Sequence, residues 1–173
     1  MQENHKYNYL KFGAMIITSM IAMYVFMYLN TYELEHVRWS QTRFYMTLIM
    51  GASMAVIMLS FMLDMYKNTK INIAIYAGSI IVFLGALFLV RTQATVGDSA
   101  WMNAMIPHHS IAILTSENAN IDDVRVQELA TNIIEAQRRE IQEMEWLIQD
   151  IQENGIAETQ RDADVRPIPN FDG

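Results

Sequence analysis

The fold class this sequence predicts is an all-α membrane protein carrying a helical hairpin domain, and three observations predict it. Residues 12–29, 44–63 and 71–90 contain no charged side chain. Most of the acidic charge falls after residue 116. Between 126 and 151, apolar residues recur at helical spacing along one stripe. A run of 20 residues rising 1.5 Å per residue covers the ~30 Å hydrocarbon core, so the first observation gives three spans and a lipid bilayer as partner. The net charge of −7 excludes a nucleic-acid binder, which needs a basic face.

Span one follows Lys6 and Lys11, as a signal peptide would. Its apolar stretch is too long for that role and no small-residue cleavage site follows in 29–32, so it reads as a retained anchor. Tyr7, Tyr9, Tyr28, Tyr32, Trp39, Tyr45 and Tyr66 cluster at the expected boundaries, where amphipathic rings settle. Lys6, Lys11, Lys67 and Lys70 fall on one side and Arg38, Arg43 and Arg91 on the other. That bias places the N-terminus in the cytoplasm and the C-terminal domain outside it, in the periplasm of a bacterial inner membrane.

Span two carries Met46, Met50, Met54, Met58 and Met62, a thioether ladder at i, i+4 spacing. Such a ladder either relays a soft cation or packs a neighbouring helix as adaptable filler. Gly51, Ala52 and Ser53 favour close helix approach, as do Gly78 and Gly85 in span three. The membrane part is thus 1–91.

A short polar connection leads to the hairpin domain, 92–155. Asp98 or Ser99 starts a helix that runs to about Ala119. A second begins between Asn120 and Asp123 and stops at Gly155. The 156–173 tail, with Pro167 and Pro169, reads as extended or disordered. Two helices cannot enclose a core, so the stripe Val126, Leu129, Ile133, Ile134, Ile141, Met144, Leu147, Ile148 and Ile151 calls for a partner. Pairing into a four-helix bundle, and hence a homo-oligomer, is the simplest solution. Arg138 and Arg139 near Glu135 read as a solvated, salt-bridged face.

Chemistry concentrates in the first hairpin helix. Asp98, Met102, Met105 and His109, spaced 4, 3 and 4, share one face, and His108 lies one step round. Pro107 removes a backbone donor from the Asn103 carbonyl and should kink the helix. Gln137, Glu140 and Met144 share the facing side of the second helix. The chain has no cysteine and 14 methionines. Two thioethers with imidazole form a set that favours Cu(I), while carboxylates tolerate harder ions. The alternative is that the histidines pair with Glu140 or Asp98 and specify helix register. His36, in the loop between spans one and two, lies on the same side of the membrane and either assists the site or, the plainer reading, is a solvated loop histidine.

Residues 98–147 resemble the bacterial "domain of unknown function 305" family. The resemblance rests on Asp98, Trp101-Met102, Met105-Ile106-Pro107-His108-His109 and Ala112-Ile113, then Leu129-Ala130, Ile133-Ile134, Gln137, Glu140-Ile141, Met144 and Trp146-Leu147. It implies a ferritin-like or four-helix-bundle arrangement and, for some members, periplasmic copper binding and copper tolerance. It puts the ligands at Met102, Met105, His108, His109 and Met144, with Asp98, Gln137 and Glu140 as polar partners. Ser110 stands where the family commonly has Gln, and Thr115 where a further Met is often found.

The leading expectation is a membrane-anchored protein that captures or buffers Cu(I) outside the cytoplasm, working with a copper-handling partner the sequence does not name. The alternatives are a Met-lined transporter-like oligomer and an accessory subunit whose hairpin only dimerises. No Ser/His/Asp set, phosphate loop or Glu-x-x-His pair points to an enzyme.

Overall fold

The computed structural model describes residues 2–171, with side chains from Tyr7 onward. The Lys6 side chain and the last two residues of the expected tail lie outside the described residues. Among those described the chain has helices and no strand. It divides into two compact units, one built from 1–29 and 41–95, the other from 30–40 and 96–173.

The first unit holds the three spans: α1 (Gln2–Phe26), α2 (Gln41–Phe61) and α3 (Thr69–Thr92). All three are long and apolar enough to cross a membrane. Two of them stop short of their charge-free runs. The backbone leaves α1 after Phe26 and α2 after Phe61 through tight turns, closed by Leu29 N–H to the Phe26 carbonyl and Met65 N–H to the Met62 carbonyl. An apolar run measures how long the chain stays in lipid, whereas the turn decides where the helix ends.

The core of this unit is Phe12, Ile16, Ala55, Leu59 and Tyr66, with α2 in the middle position of the contact order α1–α2–α3. Little of the rest is covered. Ile17, Ile21, Phe26, Ile80, Ile81 and Phe88 all stand exposed, which a helix tolerates when lipid is its solvent. One polar knot ties an end of the unit. The Tyr9 hydroxyl donates to Asn72 Oδ1 at 2.7 Å, and the buried Asn72 amide donates to the Tyr66 carbonyl at 2.7 Å. Tyr66 also stacks against Tyr9 and Phe12.

Gly51 does admit a close approach, since a Cβ there would overlap the Met20 thioether. Gly78 and Gly85 do not, because nothing lies within 4 Å of where their Cβ atoms would stand. The expected close packing is therefore confined to α2.

The second unit holds α4 (Asp98–Asn118), α5 (Val124–Asn154) and the short α6 (Gln160–Val165). Asp123 caps α5 by accepting from Arg125 N–H, and Gly155 ends it at φ +80°, a conformation that suits glycine. Ile106, Ile113, Ile141 and Ile148 interdigitate with Met102 and Met144 to form the core. The tail is not simply extended: Thr159 and Asp162 form a reciprocal capping box that starts α6, and Arg166 reaches back to Asp150 at 2.7 Å.

The loop 30–40 belongs to this unit, not to the membrane bundle with which it is contiguous in sequence. It contains a single 3₁₀ turn, Leu34–His36, packed on α4. His36 is not a solvated loop histidine. It is 8% exposed, because its imidazole Nδ1 faces the hydroxyl of the fully buried Ser110 at 2.9 Å.

Candidate metal-binding site

The α4–α5 seam brings part of the expected set together. Met102 and Met144 are buried in the core, and Met105 packs against it half-buried. Three thioethers thus share one apolar cluster contributed by both helices. Their spacing explains the meeting, since 102, 105 and 109 lie within one flank of α4, and 137, 140 and 144 within the matching flank of α5.

On that same flank His109 Nδ1 lies 3.1 Å from Glu140 Oε2. The two atoms are within reach, yet the pair lacks hydrogen-bond geometry, and Nδ1 is buried with no other partner. Burial pushes the His109 pKa below the ordinary imidazole value of 6.5, with Glu140 opposing and His108 reinforcing the shift. A lowered pKa favours the neutral imidazole, the form that ligates a metal.

The remaining predicted residues sit apart from this cluster. His108 is exposed on the outer side of α4, its ring centroid 6.3 Å from that of His109. Asp98 is exposed in the first turn of α4, and Gln137 is half-buried on α5. α4 runs uninterrupted through the buried Pro107. Thr115 is exposed and spends its hydroxyl on the Ile111 and Ala112 carbonyls. Arg138 pairs with Glu117 at 2.6 Å, and Arg139 lies 3.7 Å from Glu143.

Ser110 was noticed in the sequence only as a departure from a family pattern. In the structure it is a hub, accepting from Tyr32 N–H at 2.7 Å and meeting His36. Under the loop lies a cavity of about 210 Å³ bordered by Tyr32, His36, Ile113, Ile141 and Glu145. No local sequence signal announces this contact, because its partners lie 74 to 78 positions apart.

The Met ladder divides. Met54, Met58 and Met62 pack against the first unit's core, whereas Met46 and Met50 are exposed. Four residues turn an α-helix by 400°, so each rung is displaced by about 40° and the ladder leaves its starting face.

What can this flank hold? Among the described residues no three His, Cys, Asp or Glu side chains gather into a metal site. The nitrogen and oxygen of His109 and Glu140 are nevertheless spaced as two ligands of one ion would be, given metal–ligand bonds of about 2.0–2.2 Å. Any further donor from the same seam would be a thioether, and a thioether suits a soft ion such as copper.

The family described as Domain of unknown function (DUF305) matches residues 89–165. An uncharacterized protein of Acanthamoeba polyphaga mimivirus is 35% identical over 143 residues, which cover 79% of this chain and 92% of the relative. The chain belongs to the DUF305 family. No solved structure matches it. Since 79% of the chain is about 137 residues and only 85 lie from position 89 onward, at least about fifty matched residues precede the DUF305 region. The viral relative therefore shares sequence with the membrane part as well.

Proposed function

We propose that this DUF305 protein is anchored by three spans and uses its hairpin domain to capture or buffer copper, preferentially Cu(I), outside the cytoplasm. One observation carries the reading. His109 Nδ1, buried, stands 3.1 Å from Oε2 of the partly exposed Glu140 without hydrogen-bond geometry, on the helix seam whose core includes Met102 and Met144 with Met105 packed against it. A buried imidazole nitrogen with no hydrogen bond lacks compensation for its burial. A cation shared with the Glu140 carboxylate would supply it.

Bound copper would supply a soft Lewis-acid centre, with His109, Glu140, Met102, Met105 and Met144 as the residues to hold it and His108 available from the exposed side. The chain's own part is to hold His109 against Glu140 on a seam whose core is formed by Ile106, Ile141 and Ile148 with Met102 and Met144.

Topology supports the reading. The loop after α1 packs on the hairpin that follows α3, so both must lie on one side of the bilayer. The two crossings between them, α2 and α3, satisfy that requirement. The lysine bias makes that side extracytoplasmic, at the inner membrane in a bacterial host.

A second copy is the natural cover for the His109 flank. Trp101, Val126 and Leu129 are exposed along it, and a hairpin from a second chain laid there completes a four-helix bundle. A Met-lined transport path gains no support, since the ladder splits between the core and the outer surface.

Competition titration of the full-length protein in detergent, with Cu(I) and a chromophoric chelator, tests the proposal. His109→Ala and Glu140→Gln should each weaken binding at least about tenfold, and the Met102/Met144 pair of leucine substitutions should weaken Cu(I) more than Zn(II). Wild-type protein that fails to compete would remove the copper reading. Sidedness is read from single cysteines introduced at Asn118 and Lys67, which an impermeant maleimide should label from opposite faces.

A further inference from the structure

Pro107 leaves one turn of α4 short of a backbone hydrogen bond. It has no N–H for the Asn103 carbonyl, and the Asn103 side chain bonds the Ser99 carbonyl instead of mending that turn. The weakened turn leads directly into His108 and His109. A helix segment with a missing bond opens more readily than its neighbours, and any rotation there swings His109 away from Glu140.

The chain brings outside support to this place. Ser110, one residue past His109 and 0% exposed, accepts the Tyr32 N–H at 2.7 Å and meets the buried His36 at 2.9 Å. His36, four residues on from Tyr32, is the last residue of the 3₁₀ turn, and beyond it the Arg38 guanidinium reaches Glu145 on α5 at 2.6 Å. The Tyr32 ring meanwhile sits against the Arg138 guanidinium, 5.6 Å from its centroid. The loop thus bonds both helices of the hairpin. It does so on the flank opposite His109 and Glu140, because consecutive helical residues point about 100° apart. Each end of the loop continues into a spanning helix, α1 or α2.

We propose that the 30–40 loop is a strap, and that His36 and Ser110 are positioning residues which fix the Pro107 turn and so present His109 to Glu140. The inference rests on the reading of that pair as metal ligands, but its mechanical part is measurable without metal. Holding Ser110 from one flank fixes the rotation of α4 about its axis and aims the neighbouring imidazole at the other.

The test is hydrogen exchange on the full chain in nanodiscs without metal, run beside the Cu(I) titration, for wild type, Ser110→Ala, His36→Ala and His36→Asn. Ser110→Ala and His36→Ala should speed amide exchange over 108–112 at least tenfold and weaken copper about 10- to 100-fold. His36→Asn keeps a polar atom near the Nδ1 position while removing Nε2, so it should restore both. Unchanged exchange in the two alanine variants overturns the strap whatever the copper result. Faster exchange with unaltered copper affinity overturns the positioning role. Failure of His36→Asn to rescue overturns it too, since His36 would then act through Nε2. A wild type that binds no copper, with exchange responding as stated, sinks the copper reading and supports the strap.

Discussion

The two units of this DUF305 protein solve opposite packing problems. In the membrane unit the spanning helices are mostly apolar and few of their residues are buried; in the hairpin unit α5 is sharply two-faced and buries its apolar side at Ile141, Met144 and Ile148. Water enforces the second pattern, because exposed apolar surface costs about 25 cal/mol per Å². Lipid removes that cost, and helices then associate through close fit and a few hydrogen bonds. The difference shows why pattern reveals faces in one unit and only lengths in the other.

Four substitutions would break or sharpen this contrast. The largest effect should come from Ile106→Ala, which empties a fully buried site in the water-facing core. It should cost the hairpin about 2–5 kcal/mol, read by chemical denaturation followed at Trp146. Leu59→Ala is equally buried, in the membrane unit, yet should cost less in detergent-induced unfolding, because packing alone is lost. A cost equal to that of Ile106→Ala would undo the distinction between the two solvents. Asn72→Leu removes both bonds of the polar knot and should lower membrane-unit stability by about 1 kcal/mol, while the lipid-facing Ile81→Ala should stay within about 0.5 kcal/mol.

The smallest effect concerns pH. The hydrogen bond from Tyr32, with Arg138 beside it, holds the Glu117 carboxyl below its ordinary value of 4.5. A depressed carboxyl contributes stability above its unfolded pKa and loses it as pH falls through the folded one. Hairpin stability should therefore fall on acidification below about pH 4.5, and Glu117→Gln should flatten that limb of the denaturation profile. An identical acid limb in the variant would show that other carboxyls account for it.

Much of the fold could be read directly. Charge-free runs located α1, α2 and α3, while Asp123 and Gly155 marked the ends of α5 at the positions where cap chemistry requires them. The spacing of Asp98, Met102, Met105 and His109 predicts one shared face, of which Met102 and Met105 join the core while Asp98 stands exposed in the first turn. It could not show that His108, a single step further round, faces outward. The drift of the Met ladder was implicit in 3.6 residues per turn, whereas the Thr159–Asp162 capping box starts a helix in a tail whose prolines suggest only an extended chain. The strap was not legible at all, since its contacts join segments of different periodicity across more than seventy positions. The open surroundings of Gly78 and Gly85 depend on which face of α3 meets a neighbour, and a uniformly apolar helix carries no mark of that.

The strap also sets an order of assembly. Tyr32 and Ser110 are separated by 78 positions, and Arg38 and Glu145 by 107. The strap is synthesised first and waits while α2 and α3 are made. Long loops are slow to close, and here closure requires that both intervening helices have crossed the bilayer. A docked strap is therefore a record of completed insertion: a chain with one span left uninserted would hold strap and hairpin on opposite sides of the membrane, with no route to meet.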